Sequence, residues 1–262
     1  MKRRLLLCID GGNTNVVFAL FENDKILNQW RMNTNSRTTA DEYGVWLINL
    51  FSLSGFNIDE VEATAITNVV PSISFQLREL CKRYFGVTPI CIESAEDVPI
   101  PVLIDNPAEV GADRLVNAVA AHEYYTGGLI VIDFGTATTF DVVREDGAYA
   151  GGIIAPGVNL SLDALDRAAA RLPSISIKRP EHILGKNTVS AMQSGMFWGY
   201  VSLIEGLVSR INIEFDTKMT VIATGGLAPL FQTSCEVIDS IDENLTLNGL
   251  RLLYENIASS PK

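Results

Sequence analysis

The chain repeats one short pattern about half its length apart, and this repeat constrains the fold more than any other feature. The stretches IDGGNTNVVFAL and VIDFGTATTFDVV each bring an aspartate, a glycine and a threonine before a run of Val and Phe residues. Asp133 in the second stretch stands 123 residues after Asp10 in the first. The β-branched and aromatic run predicts a strand, whereas the familiar phosphate-binding loops lead into a helix. We therefore predict two halves that arose by duplication.

Each copy continues into a second hairpin and then into helical sequence. The turn signals are Asn23-Asp24 in the first half and Asp146-Gly147 in the second. Helices are predicted in TTADEYGVWLINLFSLSGF, which opens with a capping-box pattern, in NLSLDALDRAAARL, and over about six turns of NTVSAMQSGMFWGYVSLIEGLVSRINIEF. A further helix near 111–128 joins the halves. Hairpins beside helices predict an α/β fold with mixed sheets.

Composition and charge narrow the classes of function. Of the 262 residues, 47% are apolar and 19% charged, as in an ordinary globular protein, and the formal net charge is −11. Without a basic cluster, this charge argues against a nucleic-acid partner. No run approaches the roughly 20 apolar residues of a membrane span, and the apolar run after the basic start is too short for a signal peptide. We expect a soluble, cytoplasmic protein with no membrane partner.

Cysteine and histidine are too sparse to build common metal or nucleophile sites. The four cysteines form no C-x-x-C pair and stand mostly in apolar surroundings, which indicates buried free thiols. The two histidines are far apart in sequence. Any chemistry is therefore expected to depend on carboxylates, amides and hydroxyls.

The two glycine loops are candidate phosphate sites. Gly11 and Gly12 allow several backbone N–H groups to point inward as an anion-binding nest, and Asn13 and Thr14 add side-chain donors. Asp10 could orient water around a Mg²⁺ ion that accompanies ATP. The alternative is that each loop is only a tight turn, but duplication favours two hairpins that face one another as a phosphate clamp.

The second loop would approach the same phosphates from the other half, through Gly135, Thr136, Thr138 and Thr139. Gly225 and Gly226, in ATGGLAPLF, follow an apolar strand and precede a helix. Glycine there would let a flat ligand such as adenine pack on the backbone. GKNT at Gly185 is not a Walker loop, because it lacks a hydroxyl residue directly after the lysine and the upstream glycine.

The stretch NPAEVGADRLVNAVAA carries the candidate base. Its apolar spacing predicts a buried helix face that begins near Ala112, so that Asp113 and Arg114 lie in the first turn. An acid at that place is favoured by the helix dipole alone, by some 0.3–1 kcal/mol. A cation there is disfavoured, which suggests that Arg114 meets an anion. Asp113 could then accept the proton of an attacking alcohol in phosphoryl transfer.

Seven stretches in order resemble the type III pantothenate kinase family, within the superfamily of actin, sugar kinases and heat-shock ATPases. They are IDGGNTNVVFAL, ADEYGVWL, NPAEVGADR, VIDFGTATTFDVV, GGIIAPGV, GKNTVSAMQSG and ATGGLAP. The resemblance implies two tandem ribonuclease-H-like (actin-like ATPase) halves, each a mixed sheet with helices, with a nucleotide cleft between them. The N-terminal domain would span 1–115 and the C-terminal domain 116–262. The implied activity is ATP-dependent phosphorylation of pantothenate to 4'-phosphopantothenate, the first step of coenzyme A biosynthesis.

The resemblance also implies roles for individual residues. Asp113 would be the proton acceptor, Asp133 the ligand of a monovalent cation (K⁺ or NH₄⁺), and Thr188 a pantothenate contact. The phosphate loop would be Asp10, Gly11, Gly12, Asn13, Thr14, Asn15, Val16 and Val17; Thr136 would contact ATP; and the substrate loop would be Gly111, Ala112, Asp113 and Arg114. Family members are homodimers whose substrate site is completed at the interface. The run Met196, Phe197, Trp198 and Tyr200 would suit either that interface or an ordinary core.

Two positions depart from the resemblance. Gly11 stands where the family commonly has a larger aliphatic residue, and Ile104 where many members have a tyrosine that lines the pantothenate pocket. These departures keep open a nucleotide-binding regulator without turnover, an accessory factor in transcription. Intact Asp113, Asp133 and Thr188 argue against it. The fold alone would also allow an actin-like filament protein or a sugar or acetate kinase.

Overall fold

The computed structural model describes residues 3–168, 173 and 175–259. They form two compact units: the described residues of Met1–Ala120 with those of Leu245–Lys262, and the described residues of Ala121–Asn244. Among the residues described, no helix is both long and apolar enough to cross a membrane.

The first unit contains a five-stranded mixed sheet with the order β3-β2-β1-β4-β5. Its strands are β1 (Leu5–Gly11), β2 (Asn15–Glu22), β3 (Lys25–Asn33), β4 (Val61–Asn68) and β5 (Ile90–Ile92). The three hairpin strands pair antiparallel, and β1 pairs parallel with β4, as β4 does with β5. The predicted turn forms, with Asn23 in the left-handed conformation at φ 56°. This is the meander that the sequence predicts.

Helices alternate with these strands along the chain. They are α1 (Ala40–Leu53), α2 (Pro71–Leu80), which continues as a π-helical turn over Cys81–Phe85, and α3 (Ala112–Tyr124); short 3₁₀ turns lie at Ile58–Glu60, Ala95–Asp97 and Pro107–Glu109. The predicted capping box is present, since the Thr39 side chain accepts from the Glu42 N–H and the Glu42 carboxylate accepts from the Thr39 N–H. The boundary between the units falls within α3.

The second unit repeats the topology of the first. Its sheet has the order β10-β9-β6-β7-β8, formed by β6 (Leu129–Phe134), β7 (Ala137–Val143), β8 (Tyr149–Pro156), β9 (Thr220–Thr224) and β10 (Ser240–Ile241). Again the hairpin strands are antiparallel and the later pairs are parallel. The duplication read from the sequence is therefore present in strand order and direction.

The hairpin loops of the two copies differ by one residue. In the first, the Gly12 N–H donates to the Asn15 carbonyl at 3.0 Å, and in the second the Gly135 N–H donates to the Ala137 carbonyl at 3.0 Å. Phe18 pairs with Ile9 as Phe140 pairs with Ile132. The sequence separation between corresponding residues of the two copies is therefore smaller by one after the loops than before them.

Beyond the end of α3, the described residues of the second unit form the helices α4 (Val158–Ala168), α5 (Thr188–Glu214) and α6 (Ala228–Gln232). At 27 residues, α5 is longer than the six turns predicted. Met196, Phe197 and Tyr200 are buried in the core, whereas Trp198 is only half-buried. The run thus packs chiefly inside its own unit. The predicted end of α4 lies outside the described residues.

The last helix, α7 (Leu245–Ser259), belongs to the first unit, although a division at 115/116 assigns it to the C-terminal domain. It packs against β1, β4 and α3. The Thr246 hydroxyl donates to the Asn117 side-chain oxygen at 2.7 Å, and Gly249 lies close to the Val116 carbonyl. The apolar periodicity of α7 predicts a buried face but does not specify which sheet that face covers.

We predict that Gly249→Ala destabilises the protein, because its Cβ would overlap the Val116 carbonyl at the α3–α7 crossing. The loss should be about 1–3 kcal/mol, measured as the free energy of unfolding in urea. Gly199→Ala in α5 is the matched control. A Cβ there meets nothing within 4 Å, so the helix should gain about 0.5–1 kcal/mol. Equal effects of the two substitutions would contradict the close crossing.

Candidate active site

The first glycine loop is a short polar segment that connects the buried strands β1 and β2. Asn13 and Thr14 are exposed, while Gly12 is half-buried. The Thr34 hydroxyl donates to the Gly12 carbonyl at 2.6 Å, and the Thr34 N–H donates to the Thr14 carbonyl at 2.9 Å. Both carbonyls therefore accept hydrogen bonds from Thr34, directly after β3. These bonds hold the loop in one conformation at the end of β1.

Asp10 lies on the last part of β1, where the strand has a neighbour on each side. It pairs with Val17 of β2 and with Thr67 of β4, and its side chain is half-buried. The loop residues Asn15, Val16 and Val17 open β2, with Val16 buried and paired with Gly11. The structure thus gathers the predicted stretch from Asp10 to Val17 into one hairpin.

Gly11 has a specific reason to lack a side chain. A Cβ at this position would overlap the Oδ1 of Asn68 and lie 2.9 Å from its Cγ. Asn68 is itself fixed, since its Nδ2 donates to the Val70 carbonyl at 2.9 Å and to the Ser74 hydroxyl at 2.6 Å. In this chain, the Asn68 side chain fills the space that a larger aliphatic residue at position 11 would need.

The second loop places Asp133 at the corresponding end of β6. Asp133 pairs with Thr139 on β7 and with Thr224 on β9. The next residue on the β9 side, Gly225, has a φ of +87°. A Cβ at Gly225 would lie 2.6 Å from the Asp133 Oδ1 and 2.7 Å from the Phe134 carbonyl oxygen. Glycine at position 225 therefore lets the backbone of this turn approach these two oxygen atoms, which lie together at the end of β6.

The threonines of the second loop differ in position. Thr136 is exposed, as a ligand contact would require, and Thr139 is half-buried. Thr138, however, is fully buried, opposite Phe134 on the strand and next to the core residue Phe140. The expectation that Thr138 approaches a phosphate is therefore wrong, because strand alternation directs it toward the core.

The glycine pair at 225–226 lies where the sequence predicts, between a buried strand and a helix. β9 ends at Thr224, and the Ala228 N–H that starts α6 donates to the Gly225 carbonyl at 3.2 Å. Gly226 is exposed, and a Cβ there would meet nothing within 4 Å. The backbone of this turn is therefore open to a flat ligand on one side.

Both candidate cation positions offer oxygen atoms, the donors that Mg²⁺ and alkali ions prefer. At Asp133 a carboxylate oxygen and the Phe134 carbonyl oxygen lie close together; at Asp10 the carboxylate is half-buried at the end of a strand. Within the described part of the chain, no three or more His, Cys, Asp or Glu side chains gather as a metal cluster. The residues present fit cations that take their remaining ligands from phosphate or water.

Asp113 stands in the first turn of α3, as predicted. Its Oδ1 accepts the Arg114 N–H at 2.8 Å, and the Arg114 N–H also lies 3.1 Å from the Gly111 carbonyl. A Cβ on Gly111 would lie 2.6 Å from that same Oδ1, so glycine leaves the carboxylate room. Burial raises the pKa of Asp113, while the Arg114 N–H and the Arg114 charge lower it by less.

The rest of the predicted substrate loop surrounds the start of this helix. Ala112 is buried and Arg114 is half-buried. Ile104 lies in the segment before the 3₁₀ turn Pro107–Glu109, and its side chain is half-buried. Ile104 can offer only apolar surface to a ligand.

Thr188 is the first residue of α5, and the Asn187 side chain caps the helix by accepting from the Ser190 N–H at 2.9 Å. Thr188 is exposed and borders a cavity of about 630 Å³. The cavity is lined by Leu165, Gly185, Lys186, Asn187, Thr188, Ala191, Met192, Gly195 and Met196. Its lining combines exposed polar residues such as Lys186 and Thr188 with the buried Met192 and Met196, a combination that suits a small amphipathic molecule.

The structure thus groups the predicted residues by unit. Asp10 to Val17 and Gly111 to Arg114 belong to the first unit, and Asp133, Thr136, Gly225, Gly226 and Thr188 belong to the second. Sequence reasoning missed Asn68, which excludes a side chain at position 11, and Asp141, a fully buried carboxylate on β7. A charged residue two positions after Thr139, within a buried strand, is the signal that could have identified Asp141.

We predict that Asp113→Asn leaves the protein at least as stable as the parent near neutral pH. Since the pKa of Asp113 is raised on folding, the ionised carboxylate opposes folding as the pH rises through that pKa. The variant should therefore melt about 2–4 °C higher near pH 7, and this difference should shrink in acid, where the carboxyl is protonated. Asp105→Asn, at an exposed position, controls for the change in net charge. A variant that melts well below the parent near pH 7 would contradict the desolvation of Asp113.

Comparison with known proteins identifies the family. The family model described as type III pantothenate kinase matches residues 6–210. The type III pantothenate kinase of Paramagnetospirillum magneticum is 57% identical over 247 residues, covering 94% of this chain and 95% of that protein. That of Rhodospirillum rubrum is 57% identical over 251 residues, covering 95% and 98%, and that of Gluconobacter oxydans is 52% identical over 257 residues, covering 98% and 95%.

Solved structures show the same fold at low identity. A Baf family protein from Campylobacter jejuni aligns with a TM-score of 0.61 and 18% identity, covering 97% of this chain and all of that one. The inorganic polyphosphate/ATP-glucomannokinase of Arthrobacter aligns with a TM-score of 0.50 and 13% identity, covering 97% and 98%. These likenesses bear on the fold, in agreement with the predicted sugar-kinase and actin-like architecture. By its family model and its relatives, the chain belongs to the type III pantothenate kinases.

Proposed function

We propose that this protein phosphorylates pantothenate with ATP, giving 4'-phosphopantothenate, and that Asp113 is its catalytic base. The family match over most of the chain carries the activity. The assignment of the base rests on the position and environment of Asp113 in the first turn of α3. Its pKa is raised by burial, which brings the carboxylate closer to the operating pH as a proton acceptor.

The positions of Asp113 and Arg114 support the following proton transfer. The primary hydroxyl of pantothenate attacks the γ-phosphorus of ATP and gives its proton to the Asp113 carboxylate. The Arg114 N–H holds one oxygen of that carboxylate at 2.8 Å, which leaves the other oxygen to take the proton. Arg114 supplies a positive charge beside the transferring phosphoryl group. Positioning and charge neutralisation then account for most of the rate.

The two glycine loops are the proposed nucleotide contacts. The exposed Asn13 and Thr14 in the first loop, and Thr136 in the second, would bind phosphate oxygens, with adenine against Gly225 and Gly226. A divalent metal is expected with ATP in a kinase. We assign it as Mg²⁺, held through water by Asp10, where it would neutralise phosphate charge.

Asp133 is the proposed ligand of a monovalent cation, K⁺ or NH₄⁺. The Asp133 carboxylate oxygen and the Phe134 carbonyl oxygen, which lie together beside Gly225, support this role. The cation, when bound, would offset phosphate charge in a protein whose formal net charge is −11. Asp133 and the Phe134 carbonyl would hold it in place beside the second loop.

Thr188 and the surface beside it support a homodimer in which pantothenate binds near the interface. Ile183 is 68% exposed and Leu184 80% exposed, directly before the segment that borders the Thr188 cavity. Leu165, which lines that cavity, and Val189 are also exposed. Exposed large apolar side chains in one segment favour a protein partner. Free rather than disulfide-bonded cysteines at all four positions support a reducing, cytoplasmic compartment.

The regulatory alternative is not favoured. It depends on Gly11 and Ile104, and the structure gives Gly11 a packing reason, the close approach of Asn68. The match to a Baf family protein, at 18% identity, bears only on the fold.

We predict pantothenate-dependent release of ADP by the purified protein with ATP and Mg²⁺, in K⁺ buffer. Asp113→Asn should lower kcat by roughly 10²–10⁴-fold with little change in the KM for ATP, because only the proton acceptor is lost. Repeating the assay in Na⁺ alone tests the cation separately. Release of ADP that is independent of pantothenate, or an Asp113→Asn enzyme with near-parental kcat, would contradict the assignment.

A further inference from the structure

A buried carboxylate lies behind the second loop, and the proposed mechanism does not use it. Asp141 is on β7 and is fully buried. Its Oδ1 accepts the Tyr149 hydroxyl proton at 2.7 Å, and its Oδ2 accepts the Thr139 hydroxyl proton at 3.2 Å. A buried carboxylate is costly and is retained only when its oxygens are satisfied. The hydrogen bond to Thr139 connects the fully buried Asp141 to the residue that pairs with Asp133.

Strand register relates this network to Asp133. Thr139 and Asp133 are direct cross-strand partners. Phe134 and Phe140, the next residues along the two strands, point into the apolar core, so Asp133, Thr139 and Asp141 share the opposite face of the sheet. Directly paired side chains on one face are close enough to share a ligand.

We propose that Asp141 is a positioning residue that makes the Thr139 oxygen an acceptor toward the ligand beside Asp133. A hydroxyl has one proton, and Thr139 gives that proton to Asp141. The lone pairs of its oxygen are then the only groups it can offer on the other side. Together with the Asp133 carboxylate, its partner across the two strands, Thr139 then offers acceptors alone, which selects a cation and disfavours a phosphate oxygen. This inference rests on the proposed cation site at Asp133 and adds Thr139 to its ligands.

One substitution can reverse the donor and acceptor in the hydrogen bond between Thr139 and residue 141. In Asp141→Asn, the side-chain oxygen can still accept from Tyr149, which directs the amide nitrogen toward Thr139. Thr139 must then accept from the amide and turn its own proton toward the cation. We expect the K⁺ concentration for half-maximal activity to rise at least roughly five-fold, the scale of one reversed hydrogen bond.

Tyr149→Phe is the matched control, because it removes the other hydrogen bond to the same carboxylate and leaves the Thr139 proton on Asp141. It should lower the melting temperature while keeping the half-activating K⁺ concentration within about two-fold of the parent. Thr139→Val should weaken K⁺ as Asp141→Asn does, and Thr139→Ser, which keeps the hydroxyl, should not. A readout without turnover is the rise in melting temperature on adding K⁺ or Tl⁺ in the absence of ATP, which should be smaller in Asp141→Asn and Thr139→Val.

The outcomes separate this inference from the cation site itself. An Asp141→Asn enzyme with the parental K⁺ response would overturn the role of Asp141, and so would a Tyr149→Phe enzyme as impaired toward K⁺ as Asp141→Asn. If Asp133→Asn loses the K⁺ response in the same experiment, the proposed site at Asp133 still stands. A parent enzyme equally active in K⁺ and Na⁺, with no stabilisation by K⁺, would overturn both.

Discussion

Each glycine loop depends on the position of one strand in its sheet, the central strand that has an antiparallel neighbour on one side and a parallel neighbour on the other. The antiparallel neighbour requires a tight loop, which provides the exposed backbone and hydroxyl groups next to Asp10 and Asp133. The parallel neighbour brings a second segment to the same end of the strand. In the first unit that segment carries Asn68, and in the second it carries Gly225.

The two units differ in the residue that the parallel neighbour places at the end of the central strand. In the first unit a side chain from the parallel strand fills the space at the end of the central strand, and position 11 is glycine as a result. In the second unit the parallel strand ends in Gly225 at φ +87°, and the backbone of Gly225 packs against the Asp133 carboxylate and the Phe134 carbonyl. One topology therefore places an amide side chain against Gly11 and two oxygen atoms against Gly225, so Asp10 and Asp133 have different surroundings.

The proposed base, Asp113, depends on different physical effects from those that shape the loops. Asp113 combines burial, which raises its pKa, with a backbone N–H and a neighbouring guanidinium, which keep the ionised form accessible. A carboxylate with neither influence would have an ordinary pKa and little basicity. The raised pKa carries a cost in stability, as is common where function requires a destabilised group.

Local sequence signals predicted the hairpins, the Thr39 capping box, the glycine turn after β9 and the position of Asp113, because turn chemistry and helix caps act within a few residues. The contacts that depend on distant segments were not predictable. No sequence signal near Gly11 predicts its contact with Asn68. The apolar periodicity of α7 does not predict that this helix packs against β1 and α3. Thr138 and Thr139 could have been separated by strand alternation, which places only the second beside Asp133.

The pH dependence of kcat/KM for pantothenate tests the central claim most directly, namely that a desolvated Asp113 takes the substrate proton. The account predicts an acid limb above the ordinary range of an aspartate, about pH 4, and a shift of that limb in Asp113→Glu. A limb at or below the ordinary value, or a profile unchanged by Asp113→Glu, would contradict it.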